Sequence, residues 1–84
     1  MYEIIFSTKA EKELKKLNKQ IQERILLSIE RIRIRPEVHI TKLVGDPGYK
    51  LRVGDYRIIL DIDQGKLIIH IIKLGHRKNI YQNL

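Results

Sequence analysis

The sequence predicts an α+β fold in the order β-α-α-β-β-β, with a helical hairpin packed on one face of a mostly antiparallel four-stranded sheet. Three observations predict it. Apolar residues recur at helical spacing only in the first half of the chain. In the second half they alternate at strand spacing. The two patterns meet at a stretch punctuated by Pro36, Gly45, Pro47 and Gly48. With 84 residues the chain can build one sheet and a couple of helices around one core, so residues 1–84 read as a single domain.

Each element has its own signal. Residues 2–6 (Tyr-Glu-Ile-Ile-Phe) read as a short strand. Thr8 followed by Glu11 has capping-box spacing, which starts a helix there. Ala10, Leu14 and Leu17 form its apolar stripe. Asn18 caps a second helix, whose stripe runs through Ile21, Ile25, Ile29 and Ile32 and is widened by Leu26. Pro36 ends that helix, because the residue before a proline is pushed out of helical geometry. Residues 36–48 read as a loop. Two strands then flank Gly54-Asp55, a two-residue turn with glycine first, the type II′ pattern. Asp63-Gln64-Gly65-Lys66 turns the chain again. Leu67 to Leu74 is apolar on both faces apart from His70 and Lys73, as expected of a central strand. Gly75 ends it, and residues 76–81 form a polar tail.

Composition narrows the function classes. There is no cysteine, hence no disulfide framework and no thiolate metal site. Secreted domains of this size usually need such staples. The N-terminus becomes charged within a few residues, unlike a signal peptide. No apolar run approaches the roughly 20 residues needed to cross a bilayer. A cytoplasmic protein without a membrane partner is expected. The net charge of +7 favours polyanions. Residues 1–47 carry 10 Lys/Arg against 7 Asp/Glu, and residues 48–84 carry 7 against 3. The first half is therefore salted with both signs, while the second is basic with little compensation.

The first β-hairpin concentrates that charge. With Gly54 and Asp55 as its loop, Arg52 faces Arg57. Alternation then sends Tyr49, Leu51, Val53, Tyr56, Ile58 and Leu60 to one face and Lys50, Arg52 and Arg57 to the other. Two facing arginines destabilise a sheet by roughly 0.2–1 kcal/mol, a penalty that a bridging anion removes. Basic residues on a solvent face are also common, and they block edge pairing. Asp61 falls further along the same face, where it could pair with one of the bases. His70 also falls there, and a lone histidine in an apolar strand is more often structural than catalytic. No His/Asp/Glu spacing suggests a metal, and no Ser-His-Asp arrangement or phosphate-binding glycine motif stands out.

The stretch from Tyr49 through Arg52-Val53-Gly54-Asp55-Tyr56-Arg57 to Ile59, then Gly65-Lys66, then Leu74-Gly75-His76-Arg77-Lys78-Asn79-Ile80-Tyr81, resembles the RelE/ParE toxin superfamily, and its RelE branch best. Lys42-Leu43-Val44-Gly45 is similar to the family's lead-in to the first hairpin. The likeness spans nearly the whole chain. It implies a RelE-like fold and a type II toxin that cuts messenger RNA in the ribosomal A site without metal or other cofactor. The ribose 2′-hydroxyl attacks the adjacent phosphate, leaving a 2′,3′-cyclic phosphate and a free 5′-hydroxyl. It also implies a small RelB-type antitoxin that wraps the toxin, a heterotetramer with it, and operator DNA as a partner only of that complex.

By position, the resemblance assigns catalysis to Arg57, Arg77, Lys50 and Tyr81. Arginine offers a fixed fork of donors for charge on a pentavalent phosphate, which suits Arg57 and Arg77. A lysine among arginines can have its pKa lowered by like charge, which suits Lys50 as the base. Tyr81 would stack on a base or orient the 2′-hydroxyl. Arg52, His76 and Lys78 would contact RNA, and His76 is a second candidate base, because histidine as a residue type can give or take a proton under physiological conditions. Two other readings stay open: a non-enzymatic inhibitor of DNA gyrase of the ParE kind, and a ribosome- or RNA-binding module without chemistry.

Overall fold

The computed structural model describes residues 1–80. Strand β1 (Glu3–Phe6) is followed by helices α1 (Thr8–Lys15) and α2 (Lys19–Ile32) and a single turn, α3 (Pro36–His39). Four further strands then complete the sheet: β2 (Thr41–Lys42), β3 (Tyr49–Val53), β4 (Tyr56–Asp63) and β5 (Ile68–His76). A last turn, α4 (Arg77–Ile80), follows β5 without a break. The sheet order is β1-β5-β4-β3-β2. All neighbours are antiparallel except β1 and β5, which are parallel.

The sheet therefore has five strands, not four. The extra strand, β2, is two residues long and pairs Thr41 with Lys50 and Lys42 with Tyr49. Two residues carry no periodicity, so no sequence pattern marks it. The loop after it is closed by a Leu43 N–H bond to the Gly48 carbonyl at 3.0 Å and a Gly48 N–H bond to Asp46 Oδ1 at 3.1 Å. Pro36 does more than end a helix: it is the first residue of α3, where its missing N–H costs nothing, and it is buried.

Helix starts follow from side-chain chemistry. Asn18 Oδ1 accepts from the Ile21 N–H at 2.9 Å, as the sequence predicts. The α1 cap is Ser7, one residue before the expected Thr8. Ser7 has extended backbone angles and its Oγ accepts from the Ala10 N–H at 3.0 Å. Glu11 consequently points outward and pairs with Lys15 at 3.1 Å.

Ala10, Ile25, Ile29 and Ile32 of the helices pack on Leu51, Val53, Ile58, Leu60, Ile69, Ile71 and Leu74 of the sheet. Each large aliphatic side chain removed from water in this way contributes about 1.5–3 kcal/mol. Tyr49 and Tyr56 pack at the margin of this core, completing the predicted β3–β4 face. Leu26 does not widen the buried stripe of α2; it is exposed, as is Leu27 beside it.

Strand β5 holds the main irregularity. Asp63 to Leu60 pair with Ile68 to Ile71 in step, but Ile59 pairs with Lys73, so Ile72 is an inserted bulge residue. Glu13 in the second turn of α1 and Ser7 just before the helix hold the bulge. Ser7 Oγ donates to the Ile72 carbonyl at 2.6 Å, and the Leu74 N–H donates to Glu13 Oε1 at 3.0 Å. The strand begins one residue later than expected because Leu67 takes a left-handed backbone, φ 56°, in the turn. It also runs past Gly75 to His76.

Candidate functional site

The face of the sheet away from α1 and α2 gathers the cations. The predicted hairpin register holds, with Arg52 opposite Arg57 and Val53 opposite Tyr56 around the two-residue turn. Gly54 has φ 58°, the left-handed value the turn requires. A Cβ there would also meet Arg24 Nη2 of α2 at 3.2 Å.

Cross-strand pairing arranges the outer face as a grid. One row is Lys50–Ile59–Lys73 and the next is Arg52–Arg57–Gly75. Arg52 is exposed and Lys50 half-buried. Arg57 is 9% exposed, and its Nη1 donates to the Gly54 and Tyr56 carbonyls at 3.3 and 3.2 Å. Those bonds fix the guanidinium plane and leave other N–H groups available for an anion. Among the described residues Arg52, Arg57 and Lys73 form no ion pair. Ile59 packs with Leu43 in a small apolar cluster of its own, which gives this row a dry floor.

The two aspartates of this face bond to the backbone. Asp61 Oδ1 accepts from the Ile62 N–H at 2.9 Å, and Asp63 Oδ1 accepts from the Lys66 N–H at 3.0 Å. Asp61 thus serves the backbone and forms no ion pair among the described residues. Its cross-strand partner His70 is exposed.

Arg77 lies at the start of α4, and its N–H donates to the Asp55 carbonyl at 2.8 Å. That bond ties the C-terminal turn to the tip of the β3–β4 hairpin, beside Arg52 and Arg57. The side chains of Arg77 and Lys78 are exposed. His76 is elsewhere. It pairs with Tyr56, so its ring is on the helix side of the sheet, edge-on to Tyr56 with centroids 5.5 Å apart. Its Nδ1 accepts from the Lys78 N–H at 3.2 Å, which orients α4. Tyr81 lies outside the described residues.

Two features escape a reading of the sequence. Lys73 is 7% exposed, yet it stands on the cationic face. Its signal was available: plain alternation after Ile69 and Ile71 would put Lys73 in the core. An unpaired ammonium there is prohibitively costly, so the register must shift before it. The other feature is a cleft where Arg24, Ser28 and Arg31 of α2 meet Arg52 and Gly54, which extends the cationic surface round the hairpin tip. Helix arginines on a polar face carry no such signal by themselves. No helix among the described residues is long and apolar enough to cross a membrane. Nor do three or more His, Asp or Glu residues cluster there as potential metal ligands.

Known proteins are similar to this chain in both sequence and architecture. The model for the ParE toxin of the type II toxin–antitoxin system parDE matches residues 4–81. The mRNA interferase toxin RelE of Escherichia coli K12 is 28% identical over 80 residues, covering 92% of this chain and 84% of RelE. The intact E. coli RelBE toxin–antitoxin complex contains a chain that superposes with a TM-score of 0.77 at 28% identity, covering 90% of this chain and 96% of that one. The RelB–RelE antitoxin–toxin complex of Methanococcus jannaschii gives 0.74 at 29%, covering 95% and 98%. With the family model spanning almost the whole chain and RelE chains sharing its fold, this protein belongs to the RelE/ParE superfamily of type II toxin–antitoxin toxins and is of the RelE type.

Proposed function

We propose that this toxin is a metal-independent endoribonuclease that cuts messenger RNA in the A site of translating ribosomes and so inhibits translation. The observation that carries the reading is the outer-face cluster of Lys50, Arg52 and Arg57 on a RelE-type fold, with Arg77 tied to the same hairpin tip. In-line attack of the 2′-hydroxyl on the neighbouring phosphate breaks the bond to the 5′-oxygen. It needs a base for the hydroxyl proton, a proton from solvent for the departing 5′-oxygen, and cations for the charge that builds on the phosphoryl oxygens. Lys50 is the base, Arg57 and Arg77 hold the phosphoryl oxygens, and Tyr81 orients or stacks on the nucleotide. Arg52 and Lys78 hold the RNA backbone. His76, through its Nδ1 bond to the Lys78 N–H, supports the arm that carries Arg77.

The working state is cytoplasmic, and a RelB-type antitoxin wraps and silences the toxin in a heterotetramer that binds operator DNA. RelBE complexes of the same fold support that partner. Cleavage at programmed, translating ribosomes tests the reading. Arg57→Ala and Arg77→Ala should each slow cutting by about 10²–10³-fold, the usual effect of removing a donor to a developing oxyanion. Undiminished cutting by both would defeat the assignment.

The family model that matches bears the ParE name, so a second reading is a non-enzymatic inhibitor of DNA gyrase. DNA damage signalling with intact messenger RNA after expression would favour it. Salt-sensitive ribosome binding without cutting would instead mark a non-catalytic binding module.

A further inference from the structure

Lys73 is a lysine that burial should have excluded. It is 7% exposed and has no carboxylate partner among the described residues. No buried side-chain nitrogen or oxygen among those residues is sealed from solvent without a hydrogen bond, so its ammonium keeps an outlet to the surface. A chain under stability pressure alone would place an aliphatic residue here, since the row partner is the buried Ile59.

The fold goes further than tolerating this residue. Without the Ile72 bulge, the in-step register of Ile69 and Ile71 would set Lys73 opposite Ile58, inside the core. With the bulge, Lys73 turns to the cationic face and Leu74 fills the core in its place. On that face Lys73 is the diagonal neighbour of Arg57, at the roughly 7–8 Å typical of such pairs and within reach of long side chains. The residue directly opposite Arg57 is Gly75, which places no side chain beside the guanidinium. Two unneutralised cations, one a fixed fork and one a point charge, thus flank a single position on the sheet.

We propose that Lys73 is a further phosphate-binding residue of this toxin, acting with Arg57 on the non-bridging oxygens of one RNA phosphate. The proposal rests on the ribonuclease reading and adds a cation to its site. It makes the bulge a positioning device for that cation.

The test measures binding of the full chain to a single-stranded RNA oligonucleotide with 2′-O-methyl sugars, which cannot be cut, across a potassium chloride series. Lys73→Met conserves volume and apolar contact. It should weaken binding about tenfold, as expected for a lost charge-assisted bond. It should also flatten the slope of log affinity against log salt by about 0.7, the value for one phosphate contact on a single strand. Lys73→Arg should restore both, and Lys66→Ala at the far hairpin tip should change neither. A purely structural role would not move the salt slope.

If Arg57→Ala weakens binding while Lys73→Met leaves affinity and slope at the parent values, this inference fails and the ribonuclease reading survives. If neither variant matters, that reading fails as well. An effect of Lys73→Met seen only with a synthetic oligoglutamate peptide, and not with RNA, would assign Lys73 to an acidic protein partner and overturn the proposal. A measurement on the unaltered chain guards against misfolded variants. Bound RNA should slow acetylation of Lys73 several-fold relative to Lys66, and equal labelling with and without RNA would refute the contact.

Discussion

Replacing Glu13 by alanine tests whether the β5 bulge is held from α1. Glu13 Oε1 is the acceptor for the Leu74 N–H, and Leu74 is 1% exposed. Removing the carboxylate leaves a buried donor without a partner, which costs about 1–3 kcal/mol. The strand cannot escape by slipping back into step. That register would set Lys73 against Ile58 in the core, and an unpaired buried ammonium costs more than the lost bond. The full penalty should therefore appear as lost stability. Urea unfolding should show Glu13→Ala less stable by about 1–3 kcal/mol with an unchanged slope in denaturant. Glu13→Gln retains an acceptor oxygen and should recover most of the loss. The Leu74 amide should exchange with solvent faster in Glu13→Ala and near the parent rate in Glu13→Gln. A Glu13→Ala protein within about 0.5 kcal/mol of the parent, with Leu74 equally protected, would refute the reasoning.

Two more perturbations follow from the packing. Ile71→Ala removes a fully buried side chain between the helices and the sheet and should destabilise by about 2–5 kcal/mol in the same assay. Gly54→Ala forces a left-handed backbone on alanine and brings its Cβ to 3.2 Å from Arg24 Nη2. Thermal unfolding should show a loss of about 1–2 kcal/mol, and a variant as stable as the parent would mean the turn relaxes to another type.

Much of this fold is legible because its signals are local. Asn18 accepts from the backbone three residues on, and Gly54 fixes a two-residue turn, so the second helix and the hairpin register follow from neighbours in sequence. The facing of Arg52 and Arg57 is legible for the same reason. What escapes is set by residues far apart. Ser7 outcompetes Thr8 as the α1 cap, and its Oγ is also engaged with the Ile72 carbonyl, 65 residues away. Strand β2 is too short to show a period. Gly75 looks like a strand end, which places His76 in the tail by sequence, whereas β5 carries the histidine one residue further and onto the helix side. Lys73 reads as an interruption in an apolar strand, although its place in the alternation already demands a bulge.

The parallel pairing of β1 with β5 has a consequence for how the chain comes into being. β5 is the last strand to be synthesised, yet it sits inside the sheet, between the first strand and β4. Until it emerges, β1 has no neighbour and β4 presents one bare edge, the kind of surface that recruits other chains. Closing the pair also joins residues 65 positions apart, since Glu3 meets Ile68, which makes it a late and slow step. The bulge, Lys73 and Arg77 all belong to that final segment. A nascent chain is therefore an incomplete sheet carrying only part of its cationic face, and both are finished together when β5 slots into place.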